Sequence, residues 1–522
     1  MTTLLEFLNE LEGHDLIAVN KGEGDADYSF KHVFTQESVY DSLLRSDRRQ
    51  MHQQVGEALE EIFSDRLNDE ALLLAHHFEQ SGDLPRALRY LQIAADHAFK
   101  AFANQEAQEL YSRILSLLDR DAYEARWNAL AEREQVLDRL GERSQQANDL
   151  TQLQTLAELM EDDTRLTITH NRRAAYFDKI SEYAAAAEAA TVGVRTARRA
   201  NNAHLEAQGL NLLALSAWRR FEYREVQRWA QDALDALRIV GDPGTRITCL
   251  LHLGRASYRL GQYDAALSYI QAAQDLSQET DNRASNATAD LIFGWIYQRL
   301  GDYDSAEKHF QQMLNKREHI GDRYGEATAL SHLGWLAWDQ EKPHKGLDYC
   351  QQALEISGKI NDRENEAYAL SGLALNYERL DDVDRAIAYY KAALEQHEQI
   401  GATTLAIFDQ AGLARLATHQ NNLDLARDYI GPVRDWILQG RAQQFWDPWI
   451  IYQSTYQVLT TLEETETAYQ ILAEAHTILH QRAEEISDEA LRLCFTEEVQ
   501  VNREIEAAWQ EVNGACLTSP TH

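Results

Sequence analysis

At 522 residues the chain is several times the usual domain length, so one compact core gives way to several domains or a repeat array. Lys plus Arg number 50 against 84 Asp plus Glu, and the resulting charge of -34 repels phosphate backbones and disfavours a general nucleic-acid-binding role. The mean hydropathy of -0.50, with no apolar run near ~20 residues, excludes a membrane span.

In chain order, LLEFLNELEGHDLI reads as an amphipathic helix, and LIAVN and YSFKHVF read as two short strands around the turn KGEGDAD. A helix is predicted from about Thr35, where Thr35-Gln36-Glu37 supplies the start signal. Residues 63–165 read as irregular helical hairpins, turning at SGDLPRA (81–87), NQEA (104–107) and LGERSQQA (140–147). They are out of phase with residues 166–430, which carry regular repeats. Residues 431–512 form a helical cap opened by FWDPW (445–449), where Trp446 and Trp449 bury against Tyr452. Residues 513–522 are expected to be a disordered tail. The N-terminus lacks a basic n-region and a small-residue cleavage site. Cys249, Cys350, Cys494 and Cys516 form no CxxC and read as reduced thiols, so a cytoplasmic location is expected.

The repeat has a stride of 40 residues. LGQYDAA (260–266) aligns with LGDYDSA (300–306), and further steps give QEKPHKG, LDDVDRA and QNNLDLA, with RFEYREV and ISEYAAA upstream. Twelve residues before the end of each heptapeptide stand Ala174, Ala214, Gly254, Gly294, Gly334, Ala374 and Ala414, most of them preceded by Leu. A third marker, VGD, IGD, IND or IGA, closes four of the units. Two antiparallel helices approach closely only where the crossing positions lack bulk, which makes Gly254 and Ala266 the expected pair in their hairpin. Gly after Leu ends the first helix of the hairpin in a left-handed cap.

These residues, for example Leu253, Gly254, Tyr258, Ala266, Tyr269 and Ala273, resemble the tetratricopeptide repeat family in a subclass with longer helices. The resemblance covers about 166–430 and implies an all-α, right-handed superhelical solenoid of helix hairpins. The stretch from Tyr28 through Ala98 also resembles the passage from a winged-helix module into the helical arm of bacterial signal-transduction ATPases, and 485–505 resembles the end of such arms. Residues 1–62 would then be a winged-helix remnant containing a β-hairpin. No GxxxxGK[ST] occurs, so the ATPase activity is not carried over, and the chain is expected to be a separated or truncated arm.

Catalytic, metal and cofactor sites are not expected. GEGD (22–25) is a hairpin turn, and the neighbours His76 and His77 point apart on a helix with no carboxylate or Cys to complete a ligand set. The candidate peptide groove is a column at the 40-residue step: Lys179, Arg219, Arg259, Arg299, Asp339, Arg379 and His419. As a ligand grip it would hold acidic side chains or a terminal carboxylate. As plain helix chemistry it offsets the dipole at each helix C-terminus. Trp295 and Trp335 are expected to point toward the groove as apolar anchors, and Asn171 and Asn211 to hold a peptide backbone. The expected function is a non-enzymatic interaction scaffold, the sensor arm of a signalling ATPase system. It would bind a protein or peptide, with a separate ATPase module as a further partner. The alternatives are a transcriptional regulator acting through the winged helix and an accessory part of a nucleotide cyclase or ATPase. The winged-helix role is disfavoured because residues 1–60 hold five Lys/Arg against twelve Asp/Glu.

Overall fold

The computed structural model describes residues 2–20, 27–238, 240–442 and 448–518. It divides into two compact units, 1–172 and 173–522. The GEGD turn and Trp446 lie outside the described residues.

The first unit opens with α1 (Thr2–Gly13) and the antiparallel strands β1 (Ile17–Asn20) and β2 (Asp27–Phe30), paired Ile17 to Phe30. Helices α2 (Val33–Ser42) and α3 (Arg45–Ile62) follow. The first of these begins at Val33, two residues before the predicted Thr35, because the His32 carbonyl accepts the Thr35 amide. Then come α4 (Ala71–Ser81), α5 (Leu84–Lys100), α6 (Asn104–Leu117), α7 (Tyr123–Leu140) and α8 (Arg143–Leu159); α9 (Asp163–Lys179) contains the boundary between the units. The sequence pattern assigns all of 63–165 to an irregular region, but the regular stride already holds at α7 and α8. Tyr123, Arg143 and Asp163 open helices twenty residues apart. The small residues are absent there because a polar pair replaces them. Glu134 and Gln146 stand at the two marker positions, both buried, and the Gln146 amide donates to Glu134 Oε1 at 2.7 Å. Arg172 Nη1 balances that carboxylate from 3.1 Å.

The second unit continues with α10 (Tyr183–Arg199), α11 (Ala203–Arg219), α12 (Tyr223–Ala236), α13 (Pro243–Leu260), α14 (Tyr263–Glu279), α15 (Arg283–Leu300), α16 (Tyr303–Ile320) and α17 (Arg323–Asp339). After these come α18 (Pro343–Ile360), α19 (Arg363–Arg379), α20 (Val383–Gln399), α21 (Thr403–His419) and α22 (Leu423–Leu438). Left-handed backbone recurs every twenty residues from Ser181 to Asn421 except at Gly241, at Gly261 and Gly301 but equally at Phe221 and Glu341. Position in the turn therefore imposes this conformation, and glycine merely suits it. The closing Asp of the VGD, IGD and IND markers is an N-cap. Asp242, Asp322 and Asp362 accept the amides of Thr245, Gly325 and Asn365 at 3.0–3.2 Å.

The small column works differently from the expected small–small pair. A Cβ on Gly254 would collide with Ile270, with the Ala266 carbonyl farther off at 3.6 Å. On Gly294 it would strike the Phe310 ring, and on Gly334 the Cys350 sulfur. Stepping by 40 gives Ile270, Phe310, Cys350, Tyr390 and Ile430, all buried. The three hairpins with glycine at this position thus seat one side chain of the second helix in a notch left on the first.

The C-terminal segment comprises α23 (Pro448–Thr461), α24 (Thr465–Glu484), α25 (Glu489–Leu493), a π-helical turn (Cys494–Glu498) and α26 (Gln500–Thr518). It caps α21 and α22 through α23, where Trp449 and Tyr452 are fully buried in one core. It also returns to earlier turns of the array. The Ser487 amide donates to Asp264 Oδ2 at 2.9 Å, Arg482 Nη1 donates to the Tyr263 hydroxyl at 3.4 Å, and the Phe495 ring lies 6.2 Å from that of Tyr263.

Two substitutions test this packing. Gly294→Ala should cost about 1–3 kcal/mol in denaturant unfolding, and more than Gly254→Ala, because an aromatic ring yields less than the tip of an isoleucine. Gly301, at φ +81°, would place a Cβ 2.7 Å from the Cys494 carbonyl oxygen. Gly301→Ala should therefore add about 1–2 kcal/mol of backbone strain and speed hydrogen exchange across 487–505 more than across 323–399.

Candidate functional site

The cationic column does not form one open ladder. Arg219 is exposed and pairs with Asp178 at 3.5 Å. Arg299 is only 4% exposed, too deep to meet an external ligand. Arg379 lies 4.8 Å over Trp338, donates to Gln500 Oε1 at 2.8 Å and stands 3.6 Å from Glu341. Lys179 is exposed. Asp339 accepts from Gln298 at 2.6 Å, and His419 is 3.9 Å from Asp381.

The two tryptophans are structural rather than groove-facing. Trp335, 4% exposed, stacks on Tyr368 at 4.7 Å and 6°, and its indole N–H donates to the Tyr368 carbonyl at 3.3 Å. Trp295 is half-buried, and its Nε1 donates to His332 Nε2 at 3.2 Å. Burial pulls the His332 pKa down to about 3, so its neutral ring is the acceptor. These rings join α15, α17 and α19 side by side. Asn171 is buried, and half-buried Asn211 accepts from the Cys249 thiol.

Other sequence expectations also change. His76 and His77 both reach a third ring, His52, whose Nδ1 is 3.0 Å from that of His77. The buried pair His397 and Asp409 meets at 2.7 Å, with Ser371 donating to the same carboxylate, and all three are fully enclosed.

Arg259 is half-buried and lines a cavity. It closes the last turn of α13, with its guanidinium 5.6 Å over both Trp218 and Tyr223. Its Nη1 is buried and makes no hydrogen bond. One turn earlier, Arg255 lies 4.9 Å over the same Trp218 ring, and its Nη2 reaches His252 Nδ1 at 2.8 Å. Burial, reinforced by Arg219, brings the Arg255 pKa down to about 10, and the same burial keeps His252 neutral. Arg255 Nε is also buried without a hydrogen bond. Two guanidinium groups thus converge on one indole.

Arg259 opens into a cavity of about 560 Å³ between the α11–α12 turn and α24, where Ile478, Arg482 and Glu485 form the far wall. Glu222 and Glu225 also line it but pair with Arg220 and Arg228. The site therefore offers the rings of Phe221 and Tyr223, an apolar patch at Ile478 and the guanidinium groups of Arg224, Arg259 and Arg482, with Glu485 as an acidic neighbour. Such an arrangement suits a carboxylate carried on an apolar stem. Sequence reasoning does not pick out Arg255, Tyr223, Ile478 or Arg482. The only sequence signal is the Arg-x-x-x-Arg spacing of 255 and 259, and nothing local to α24 announces its partner.

Comparison with known proteins bears on the fold. A tetratricopeptide repeat family model matches residues 246–319, 294–359 and 325–399. No curated protein sequence matches the chain. Among solved structures, a Rap protein complexed with Competence and Sporulation Factor is similar at 14% identity and a TM-score of 0.53, over 70% of this chain and 100% of that one. A signal transduction ATPase with numerous domains from Pyrococcus horikoshii, bearing a tetratricopeptide repeat sensor, aligns at 14% identity and a TM-score of 0.42, over 89% of this chain and 68% of that one. Among the described residues no helix is long and apolar enough to cross a membrane. Residues 246–399 thus carry tetratricopeptide repeats within an all-helical fold, and the helix pairs of α7–α22 keep the same 40-residue stride.

Proposed function

We propose that this tetratricopeptide-repeat interaction scaffold captures an acidic segment of a partner protein, a side-chain or terminal carboxylate, in the cavity between Arg259 and Arg482. The observation that carries the reading is the buried, unbonded Nη1 of Arg259 beside a cavity walled by a second arginine. A buried donor without an acceptor costs about 1–3 kcal/mol, and because Arg259 is only half-buried, a turn of its guanidinium toward a ligand carboxylate would remove that cost. Of the remaining groove candidates, Lys179, Asn211 and Arg219 would lie along the path of a longer segment, while Trp295, Arg299 and Trp335 support it from within. In a structurally similar Rap protein the same fold is found complexed with Competence and Sporulation Factor.

Work in the cell would be adaptor binding without chemistry. The resemblance of 28–98 and 485–505 to the arms of signal-transduction ATPases supports a sensor arm acting with a separate ATPase module.

The test is an arrayed library of acidic peptides, with the best binders measured by calorimetry against the full chain. Arg259→Ala and Arg482→Ala should each weaken binding about tenfold, the loss of one charge-assisted hydrogen bond, and should flatten its salt dependence. C-terminal amidation separates a terminal carboxylate from a side-chain one. Affinity unchanged in both variants would overturn the reading.

A further inference from the structure

On α24, His476 and His480 stand four residues apart, about one helical turn, so both imidazoles project from the same face. Their rings lie 4.3 Å apart. Glu506 on α26 comes up against both. Its Oε2 is 3.1 Å from His476 Nε2 and 3.0 Å from His480 Nε2. All three donor atoms fall within 4.8 Å of one another.

Two imidazoles on one carboxylate oxygen are more than a hydrogen bond requires. We propose that His476, His480 and Glu506 form a binding site for a divalent transition-metal cation of the zinc class, which ties α26 to α24. Two histidines at i and i+4 with a carboxylate from another helix supply three ligands through Nε2, Nε2 and Oε2. Bonds of about 2.0–2.2 Å in a tetrahedron separate ligand atoms by roughly 3.3 Å. The Glu506 oxygen needs to part from each imidazole nitrogen by a few tenths of an ångström, and the two nitrogens, within 4.8 Å of each other, need to settle at the same separation to admit the ion. The fourth position faces solvent, since the His480 side chain is 52% exposed and that of Glu506 36%. Nitrogen-rich donors favour zinc, copper or nickel over magnesium or calcium.

The surroundings hold the ligands in place. Trp509 stacks on His476 at 4.5 Å and 16°, and Tyr469 stacks in turn on Trp509. Gln510 Nε2 donates to Glu506 Oε1 at 2.9 Å, leaving Oε2 for the histidines. Burial, aided by His480, lowers the His476 pKa. Burial opposes ionisation of Glu506, but hydrogen bonds from His480 and Gln510 outweigh it and its pKa falls. Neutral imidazole and ionised carboxylate are the metal-binding forms. The same α24 carries Ile478 and Arg482, so the cation would stiffen the far wall of the carboxylate cavity. The site itself stands whether or not that cavity binds an acidic segment.

The experiment uses full-length protein stripped with a chelator and titrated with ZnCl2 in competition with a chromophoric chelator. One equivalent should bind in a manner that His476→Asn, His480→Asn and Glu506→Gln each weaken at least ~10-fold, while Gln510→Ala weakens it by up to about tenfold. His52→Asn, in the separate histidine cluster, should leave that equivalent unchanged. Zinc should also slow amide exchange across 500–513 in the wild type and not in His480→Asn. His480 is half exposed, so its asparagine variant keeps a folded reference. No bound equivalent, or one that survives His480→Asn and Gln510→Ala at full affinity, would overturn the site.

Discussion

The array rests on a single packing relation: a side chain from the second helix of each hairpin fills a notch sixteen residues earlier on the first. Ile270, Phe310, Cys350, Tyr390 and Ile430 are all buried, although they differ in volume and chemistry. What stays constant is the small partner at Gly254, Gly294, Gly334, Ala374 and Ala414. Interior packing near crystalline density fixes the distance between two helices only if one of them yields volume at the crossing. The small residues are therefore receptors for a variable knob. This explains why the sequence is strict at one position and permissive sixteen residues on.

Glu134 and Gln146 show that the relation tolerates a different solution. There the crossing is held by an amide–carboxylate hydrogen bond with Arg172 as counter-charge. Burying a carboxylate is costly unless it is paired and hydrogen-bonded. That repeat thus exchanges close apposition for a polar network, and the backbone keeps the same twenty-residue rhythm of helix starts. Geometry is maintained along the array while the chemistry holding it changes.

This distinction sets what could be read from the sequence. The stride, the helix pairs and the capping aspartates leave local signals, because Gly, Asp and the heptapeptides act over a few residues. Start positions such as Val33 depend on a single carbonyl and slip by two residues. The Glu134–Gln146 crossing was hidden because its residue types look like a solvated helix face. The column from Lys179 to His419 was legible as a pattern, but its members face different surroundings. Spacing assigns a residue to a helix turn, and only neighbours from other helices decide whether Arg299 is buried or Arg259 meets a cavity. The return of 482–500 onto 263–264 and 379 joins residues up to 223 positions apart, and no window of sequence contains both sides.

That return also determines where a ligand can act. A solenoid contacts mainly its neighbours, so its inner surface is ordinarily continuous. Here the C-terminal segment lies against the turns after α13 and α15 and the end of α19. Arg379 is engaged with Gln500, whereas Arg259 lines the cavity that α24 also lines. Under the proposed reading, recognition would be concentrated at one place whose far wall belongs to a helix tied down by Asp264, Tyr263 and Glu506. The position of α24 is then a variable of the site as much as the identity of Arg259 is. Any influence that moves α24, from the C-terminal helices or from the repeats beneath, changes the distance between the two arginines and so the carboxylate they would hold.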